Sequence, residues 1–386
     1  MTYDPTTTNN GNISQILGYY PKYSFLDSIL SLCSKQTLNL YIDLKGCAQA
    51  LYQEWAVKYI IEQSKGVRHV DISLFLAVLE FIAFHKIYTK KRNVNLNMFF
   101  FFESGASSYH TAIHPEYKAN RHTGSFFGLD DATRDFFFKI LDKNYHVIDK
   151  VCGKLPGISV TRLKFLEADF VPYYIMNRVL TKEQVDNSVH IIYSTDKDML
   201  QCLDSDNKFQ FYRHYKNIKM ISRKDILNHF FKEEVNIDPQ WFPLILAITG
   251  DSSDFFGGVD GVKEKTILKI MDQIIVLAGK SMDFVYDNLK NKKPIFDPTY
   301  YPRDNAIKRI IEKQDIVIRN LKLLSFKLMS DTVDEGFPTH LLEQKKVLVD
   351  SVNMTVKVPN ASTLINALEK ADLGTSVNEN TIAKLF

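Results

Sequence analysis

The 386-residue chain has few cysteines, no long apolar run and no large excess of charge of either sign. Its four cysteines, Cys33, Cys47, Cys152 and Cys202, show no CxxC pairing. That argues against a zinc ribbon or a disulfide framework and points to free thiols in a reducing, cytoplasmic setting. No apolar stretch approaches the roughly 18 to 20 residues that span a bilayer, the longest obvious one being Leu74 to Leu79. A soluble protein without a membrane partner is expected. The Thr- and Asn-rich start, Met1 to Ser14, lacks the basic and apolar regions of a secretory signal and reads as a loose tail. With 48 basic and 45 acidic residues the net charge is only +3, too little for a bulk nucleic-acid footprint, although a local patch could supply one. Hydrophobic residues at 45% and charged residues at 24% are ordinary globular usage, which excludes disorder, collagen and coiled coil for the whole.

What is present is a strand pattern tipped with acid. Leu38 to Ile42 alternates and ends in Asp43; Asn97 to Phe102 is an apolar run ending in Glu103; Val189 to Ser194 precedes Asp196 and Asp198. Such runs suit parallel strands buried on both faces. Helical segments at Ala48 to Glu62, Asp71 to Ile87 and Glu167 to Val179 lie between them, and Phe209 to Arg213 reads as a further strand. The alternation predicts an α/β fold with a mostly parallel central sheet flanked by helices, whose ligands gather at the C-terminal strand ends. Beyond the sheet, Ser222 to Phe231, Pro239 to Ile248, Lys263 to Ile275 and Asn305 to Leu324 predict a helical region. A strand signal returns at Val347 to Val349, and a helix follows at Ala361 to Ala371. The expected domains are an extension over 1–35, an α/β core over 36–215, a helical region over 216–330 and an appendage over 331–386.

Carboxylates supply the chemistry: Asp43, Glu103, Glu167 with Asp169, Asp196 with Asp198, and Asp251 with Asp254. Gathered in one cleft they would repel one another unless divalent cations were bound, and hard Mg²⁺ or Mn²⁺ suits an all-oxygen site. Each pair alone also fits a helix N-terminus or a loop cap, and that bland reading is favoured pair by pair.

The order of the motifs is more specific. Pro115-Glu116-Tyr117-Lys118-Ala119-Asn120-Arg121, Glu167-Ala168-Asp169, Ser194-Thr195-Asp196-Lys197-Asp198-Met199-Leu200-Gln201 and Gly250-Asp251-Ser252-Ser253-Asp254, followed by Gly258-Val259-Asp260-Gly261-Val262 and Lys265-Thr266, resemble the successive signatures of the flap endonuclease and 5′→3′ exonuclease family. That family includes the phage ribonuclease H enzymes and the 5′ nuclease domain of DNA polymerase I. The resemblance covers about residues 38–275. It implies a PIN-like core and a helical arch at about 104–150. It also implies a two-metal-ion phosphodiester hydrolase, with Asp43, Glu103, Glu167 and Asp169 nearer one ion and Asp196, Asp198 and Asp251 nearer the other, Asp254 being a further acidic position.

The resemblance also assigns Lys118 and Arg121 to the scissile phosphate, with Tyr117 beside them on the DNA, and Asp43 and Asp198 as the catalytic carboxylates. Gly258, Gly261, Lys263, Lys265 and Thr266 would form a helix-two-turn-helix that grips duplex backbone, with a K⁺ ion on its carbonyls. Substrates would be DNA with a 5′ flap or nick and RNA–DNA hybrid, cut during replication or repair by a monomer in the cytoplasm, the host's if phage-encoded. A sliding clamp or a single-strand-binding protein would be a further partner. The last six residues, Thr381 to Phe386, weakly resemble a clamp-binding tail, with an ordinary terminal helix favoured. His110, His114 and His122 read as a solvated helix face. Tyr109, Phe126, Phe127 and Phe136 to Phe138 could stack on bases, the last three more plausibly packing inward.

The sequence departs from the family pattern at four positions: Phe170 replaces an aspartate of many members, Glu103 the usual Asp, Lys263 a glycine and Leu44 another glycine. The rival readings are a catalytically weakened DNA-binding or replication scaffold of the same fold and a PIN-type ribonuclease, which leaves the Gly258 to Thr266 module unexplained.

Overall fold

The computed structural model describes residues 31, 37–46, 73–119, 131–194, 196–214, 217–226, 237–252, 254, 256–336, 339–353 and 361–370. The expected helix at Ala48 to Glu62, the N-cap Asp71, Arg121, His122, Phe126, Phe127 and both termini lie outside these residues. So do residues 227–231 of the expected helix from Ser222.

A six-stranded sheet forms the centre, in the order β3-β2-β1-β4-β5-β6. The strands are β1 (Thr37–Asp43), β2 (Asn95–Ser104), β3 (Ile158–Lys164), β4 (Ser188–Tyr193), β5 (Lys208–His214) and β6 (Asn217–Ser222). All neighbours are parallel except the β5–β6 hairpin, so the fold expectation is met. Strand order reverses at β1, which lies between β2 and β4, and a crevice opens at such a switch point beyond the strand ends.

Side-chain alternation along the strands divides the interior in two. Leu38, Leu40 and Ile42 of β1 join Met98, Phe100 and Phe102 of β2 in a core packed on α1 (Ser73–Lys90) and α3 (Asp131–Cys152). Tyr41, Phe99 and Phe101 join the opposite core, shared with the helices that follow the sheet. The same period sends Asp43 and Glu103 toward those helices. Between α1 and α3 lies the short α2 (Ser108–Ile113), capped by Ser107, whose side chain accepts from the His110 N–H. Next, α4 (Val171–Tyr174) continues as a π-helical turn over Ile175–Val179, and α5 (Lys182–Asp186) leads into β4.

The helical region is built around α6 (Phe242–Thr249), in which every residue from Phe242 to Ile248 is buried. A helix apolar on all sides belongs at the centre of a layer, not at its surface. It ends at Gly250, whose φ of 78° starts the two-residue strand β7 (Gly250–Asp251), paired with β8 (Phe256–Gly257). Then come α7 (Glu264–Leu277), α8 (Met282–Lys290), α9 (Asn305–Glu312), α10 (Gln314–Leu324), α11 (Phe326–Glu335), α12 (His340–Asn353) and α13 (Ala361–Lys370). Buried Asn320 of α10 donates to the carbonyl of Ala247, in the last turn of α6, and to that of Gly257 in β8, tying the helix end to the hairpin. Among the described residues no helix is long and apolar enough to cross a membrane.

Several local expectations need correction. Val347 to Val349 is not a strand but the interior of α12, whose buried face includes Leu341 and Leu348. The helix expected over Asn305 to Leu324 is two helices broken at Lys313. The helix expected from Glu167 starts only at Val171, leaving Glu167 and Asp169 in the preceding loop. Phe138 does not pack inward but is 46% exposed. From Ile140 onward, α3 is packed into the core. β3 and β6 are strands that the sequence pattern does not single out; β3 follows a turn at Gly157, whose φ is 71°.

Candidate metal centre

The strand tips deliver the first carboxylates. Asp43 accepts hydrogen bonds from the Gly46 N–H at 2.9 Å and the Ser194 hydroxyl at 3.0 Å, the latter rising from the end of β4. Glu103 is paired with Lys45 at 2.6 Å. Burial, with Glu103 and Asp196 nearby, outweighs those two donors and pushes the Asp43 carboxyl up to about 7.

The loop after β4 folds on itself: Ser194 Oγ accepts the Asp196 N–H at 3.0 Å, and Asp196 accepts the Asp198 N–H at 2.9 Å. A 3₁₀ turn beginning at Asp198 then buries that residue. Opposite it, the β7–β8 hairpin supplies Asp251 and Asp254. Carboxylate oxygens of Asp198, Asp251 and Asp254 all lie within 4.8 Å of one another, and all three side chains are buried. Asp169 joins the group electrostatically, facing Glu167, Asp196 and Asp198. Burial first, and then these like charges, raise the carboxyls of Asp169, Asp196 and Asp198.

Two buried oxygens, Asp169 Oδ1 and Asp198 Oδ1, have no hydrogen-bond partner. Buried acceptors left unpaired at the centre of a carboxylate cluster are what a bound cation would satisfy. The donors are all oxygen, which suits a hard divalent ion and argues against a thiolate or imidazole site. The residues present therefore fit the group that the resemblance implies.

Lysines line the same cleft. Lys197 reaches Asp251 at 2.5 Å, and this bond overcomes burial to raise its ammonium. Lys118 pairs with Glu167 at 2.5 Å and lies 3.8 Å from Asp254. Its backbone has φ 56°, a left-handed conformation unusual for lysine, fixed by its N–H donating to the Asp254 carbonyl at 3.1 Å. Burial works against the charge of Glu167, but His110, then the Lys118 ammonium and the donors Lys118 and Tyr117, hold its carboxyl below the ordinary range.

Tyr117, expected on DNA, is buried instead. Its hydroxyl stands 3.1 Å from both Glu167 and Asp254 and, with one proton, donates to one of them at a time. His110 stacks on the Tyr117 ring at 4.7 Å between centroids, with its ring nitrogens 2.7 Å from Ser107 Oγ and 3.1 Å from the Leu323 carbonyl. It is a buried anchor rather than part of a solvated face, and burial lowers its pKa. His114 caps the C-terminus of α2.

Of the eight sequence-predicted carboxylates, Asp198, Asp251 and Asp254 come within 4.8 Å of one another, Glu167, Asp169 and Asp196 adjoin them electrostatically together with Lys118, and Asp43, with Glu103 beside it, adjoins Asp196 from the strand tips; Arg121 lies outside the described residues. Lys45, Lys197, Tyr117 as a carboxylate partner and His110 were not singled out for these contacts, although Lys197 stands inside a quoted motif. The Gly258 to Thr266 segment joins β8 to α7, beginning against Gly250, the residue before Asp251. A Cβ on Gly258 would stand 2.3 Å from the Ile248 carbonyl, so glycine there serves close backbone packing. Gly261 has φ 74° and lies under the Arg309 guanidinium, which donates to the Asp260 carbonyl at 3.3 Å. Lys263 and Lys265 are exposed at the start of α7.

No family model matches the chain. Among curated proteins it is 25% identical over 192 residues to DNA polymerase I of Lactococcus lactis subsp. cremoris, covering 50% of this chain and 19% of the relative. It is 23% identical over 234 residues to a 5′-3′ exonuclease of Mycoplasmopsis pulmonis, 60% of this chain and 68% of that one. A 5′-3′ exonuclease of Aquifex aeolicus is 32% identical over 118 residues, 31% and 37% of the respective chains. The chain thus spans about a fifth of the length of the polymerase relatives it matches. Among solved structures, the bacteriophage T5 flap endonuclease in a pseudo-enzyme–product complex with DNA and metal ions superposes with a TM-score of 0.56 at 17% identity, over 83% of this chain and 99% of the other. T5 5′-exonuclease with bound zinc gives 0.53 at 18% identity, over 83% and 99%. In the order of its motifs, in sequence and in fold, the chain resembles the flap endonuclease and 5′→3′ exonuclease family.

Proposed function

We propose that the chain is a divalent-metal-dependent 5′ nuclease that hydrolyses phosphodiesters in nicked or 5′-flapped DNA and in RNA–DNA hybrid. The observation that carries this reading is the buried cluster of Asp198, Asp251 and Asp254, with an unpaired buried oxygen on Asp198 and another on nearby Asp169. Asp43, Glu103, Glu167 and Asp169 would hold one Mg²⁺ or Mn²⁺ ion, and Asp196, Asp198, Asp251 and Asp254 a second. Bound there, the ions would supply Lewis-acid activation of water and neutralisation of charge on the leaving oxygen.

The chain's own groups do the rest. Lys118, locked by its backbone bond to Asp254, has its ammonium at the carboxylates' edge and can exchange Glu167 for a phosphate oxygen as negative charge builds. Tyr117 orients Glu167 and Asp254, and His110 holds the Tyr117 ring. The N-terminal end of α7, with Lys263, Lys265 and Thr266 beside the Gly258 and Gly261 turns, would bind the phosphates of the duplex arm without reading bases. Arg121 completes the phosphate clamp in this reading.

The alternative, a weakened scaffold of this fold, predicts lost carboxylates, and the eight that remain count against it. The deciding assay is a labelled 5′-flap duplex incubated with and without Mg²⁺, beside single strand and blunt duplex. Cleavage at the branch that needs the metal is expected; no cleavage of any substrate with Mg²⁺ or Mn²⁺ contradicts the reading.

A further inference from the structure

The segment from Lys290 to Arg303 carries features that neither the core nor the acidic cleft explains. Four cations, Lys290, Lys292, Lys293 and Arg303, stand against one acid, Asp297, within these 14 residues; Lys290 is paired with Glu335 at 3.7 Å, which leaves Lys292, Lys293 and Arg303 to face a ligand. All four cations are exposed. Next to them Tyr300 is 47% exposed and Tyr301 86% exposed, the highest value among the exposed large hydrophobic residues of the described chain. An aromatic ring left in water beside a cationic cluster is the composition of a surface that stacks on bases and neutralises phosphates.

The loop is also built to present them. Ile295 and Phe296 are buried anchors, and the Phe296 N–H donates to Gln314 Oε1 at 3.2 Å. Asn288 donates to the Pro294 carbonyl at 3.1 Å, and Asp297 accepts from both the N–H and the hydroxyl of Thr299. The Tyr300 N–H closes the turn on the Asp297 carbonyl at 3.2 Å. Pro298 and Pro302 bracket the tyrosines and restrict the backbone further. A held loop loses little entropy when its rings engage a ligand.

Position supplies the partner's direction. The loop runs directly into α9, whose Arg309 bonds Asp260 in the Gly258 to Thr266 turn. A nucleic-acid arm seated on that turn would therefore have this loop close by.

We infer that residues 290–303 form a second nucleic-acid contact, in which Tyr300 and Tyr301 stack on the bases of an unpaired strand at the far end of the arm, and Lys292, Lys293 and Arg303 hold its phosphates. The inference rests on the nuclease reading for the arm's position, but not for the chemistry of the loop.

The test uses the full chain without divalent metal, so that nothing is cut, and fluorescence anisotropy with two probes: a flap duplex whose arm ends in a single-stranded overhang, and a free oligo(dT). Tyr300→Ala/Tyr301→Ala should weaken binding of both by about tenfold, while leaving turnover at saturating flap substrate unchanged. Lys292→Glu/Lys293→Glu should lower the salt dependence of binding by about one to two phosphate contacts. Tyr301→Trp, at a surface position, should fold normally and its fluorescence should be quenched by oligo(dT). Affinities within twofold of wild type in the alanine variant, together with unquenched Trp emission, overturn the inference. Oligo(dT) binding through the loop in a chain that cuts no flap would sustain the contact and sink the nuclease reading; flap cleavage with no loop effect does the reverse.

Discussion

The two halves of the acidic cleft are made differently. At the strand tips each carboxylate has its own donor: Asp43 has Ser194 and the Gly46 amide, and Glu103 has Lys45. Across the cleft, Asp198, Asp251 and Asp254 crowd within 4.8 Å, and Asp169 and Asp198 each keep an unpaired buried oxygen. The strand-tip half has a donor for each acid, yet burial still pushes the Asp43 carboxyl up to about 7. The crowded half has Lys197 on Asp251 and the Tyr117 hydroxyl 3.1 Å from Asp254, but it gathers more like charge and gains most from protons or cations. The comparison teaches where bound ions matter most: the hairpin and the 3₁₀ turn, elements placed by the helical region, hold the demanding end of the site.

The largest effect expected from this asymmetry is loss of catalysis on the crowded side. Asp198→Asn should lower metal-dependent flap cleavage by about 10³-fold or more, with metal-free flap binding nearly intact; single-turnover kinetics and anisotropy measure the two. Asp43→Ala should act similarly, because Asp43 sits where the two halves meet. Next in size is Lys118→Ala, which should slow turnover by about 10²-fold while leaving affinity within a few-fold, the magnitude typical of losing one charge-stabilising donor. If affinity alone falls, Lys118 does not act at the reacting phosphate.

The pH dependence comes third. The Asp43 carboxyl is raised to about 7 and those of Asp169, Asp196 and Asp198 are raised as well, so in the metal-free fold they hold protons that the unfolded chain, titrating near 4, has released. The sign follows: by this contribution the metal-free fold gains stability as pH falls from about 7 toward 4 and loses it above 7. A cation must displace those protons, so Mg²⁺ affinity should rise by about tenfold or more between pH 6 and pH 8. Titration calorimetry in two buffers of different ionisation enthalpy would reveal proton release, and a flat affinity would refute it. The smallest effect belongs to the partnered side, where Glu103→Gln should cost about tenfold or less in turnover. A loss as large as that of Asp198→Asn would erase the distinction between the halves.

Much of this was readable from residue order. The period-2 pattern of Leu38 to Ile42 places Asp43 at a strand tip, and β1 carries it there. The acids were readable because each sits at a strand end or in a quoted motif. Less readable were features that depend on distant partners. Tyr117 reads as a ring for DNA, yet Glu167 and Asp254, 50 and 137 residues away, capture its hydroxyl. His110 looks like a surface histidine until the Leu323 carbonyl, 213 residues on, meets its ring. Val347 to Val349 carries β-branched residues that favour a strand in isolation, but the surrounding α12 buries Leu341 and Leu348 on one side and overrides that propensity. The break at Lys313 has no Gly or Pro to announce it.

The most direct test of the account is the stoichiometry of Mn²⁺ binding to the full chain near pH 8, by calorimetry or paramagnetic resonance, for wild type and for Asp198→Asn/Asp254→Asn. About two ions per wild-type chain, with at least one lost in the double variant, is the predicted result. A wild-type chain that binds no divalent ion, or a double variant that binds as the wild type does, would contradict it.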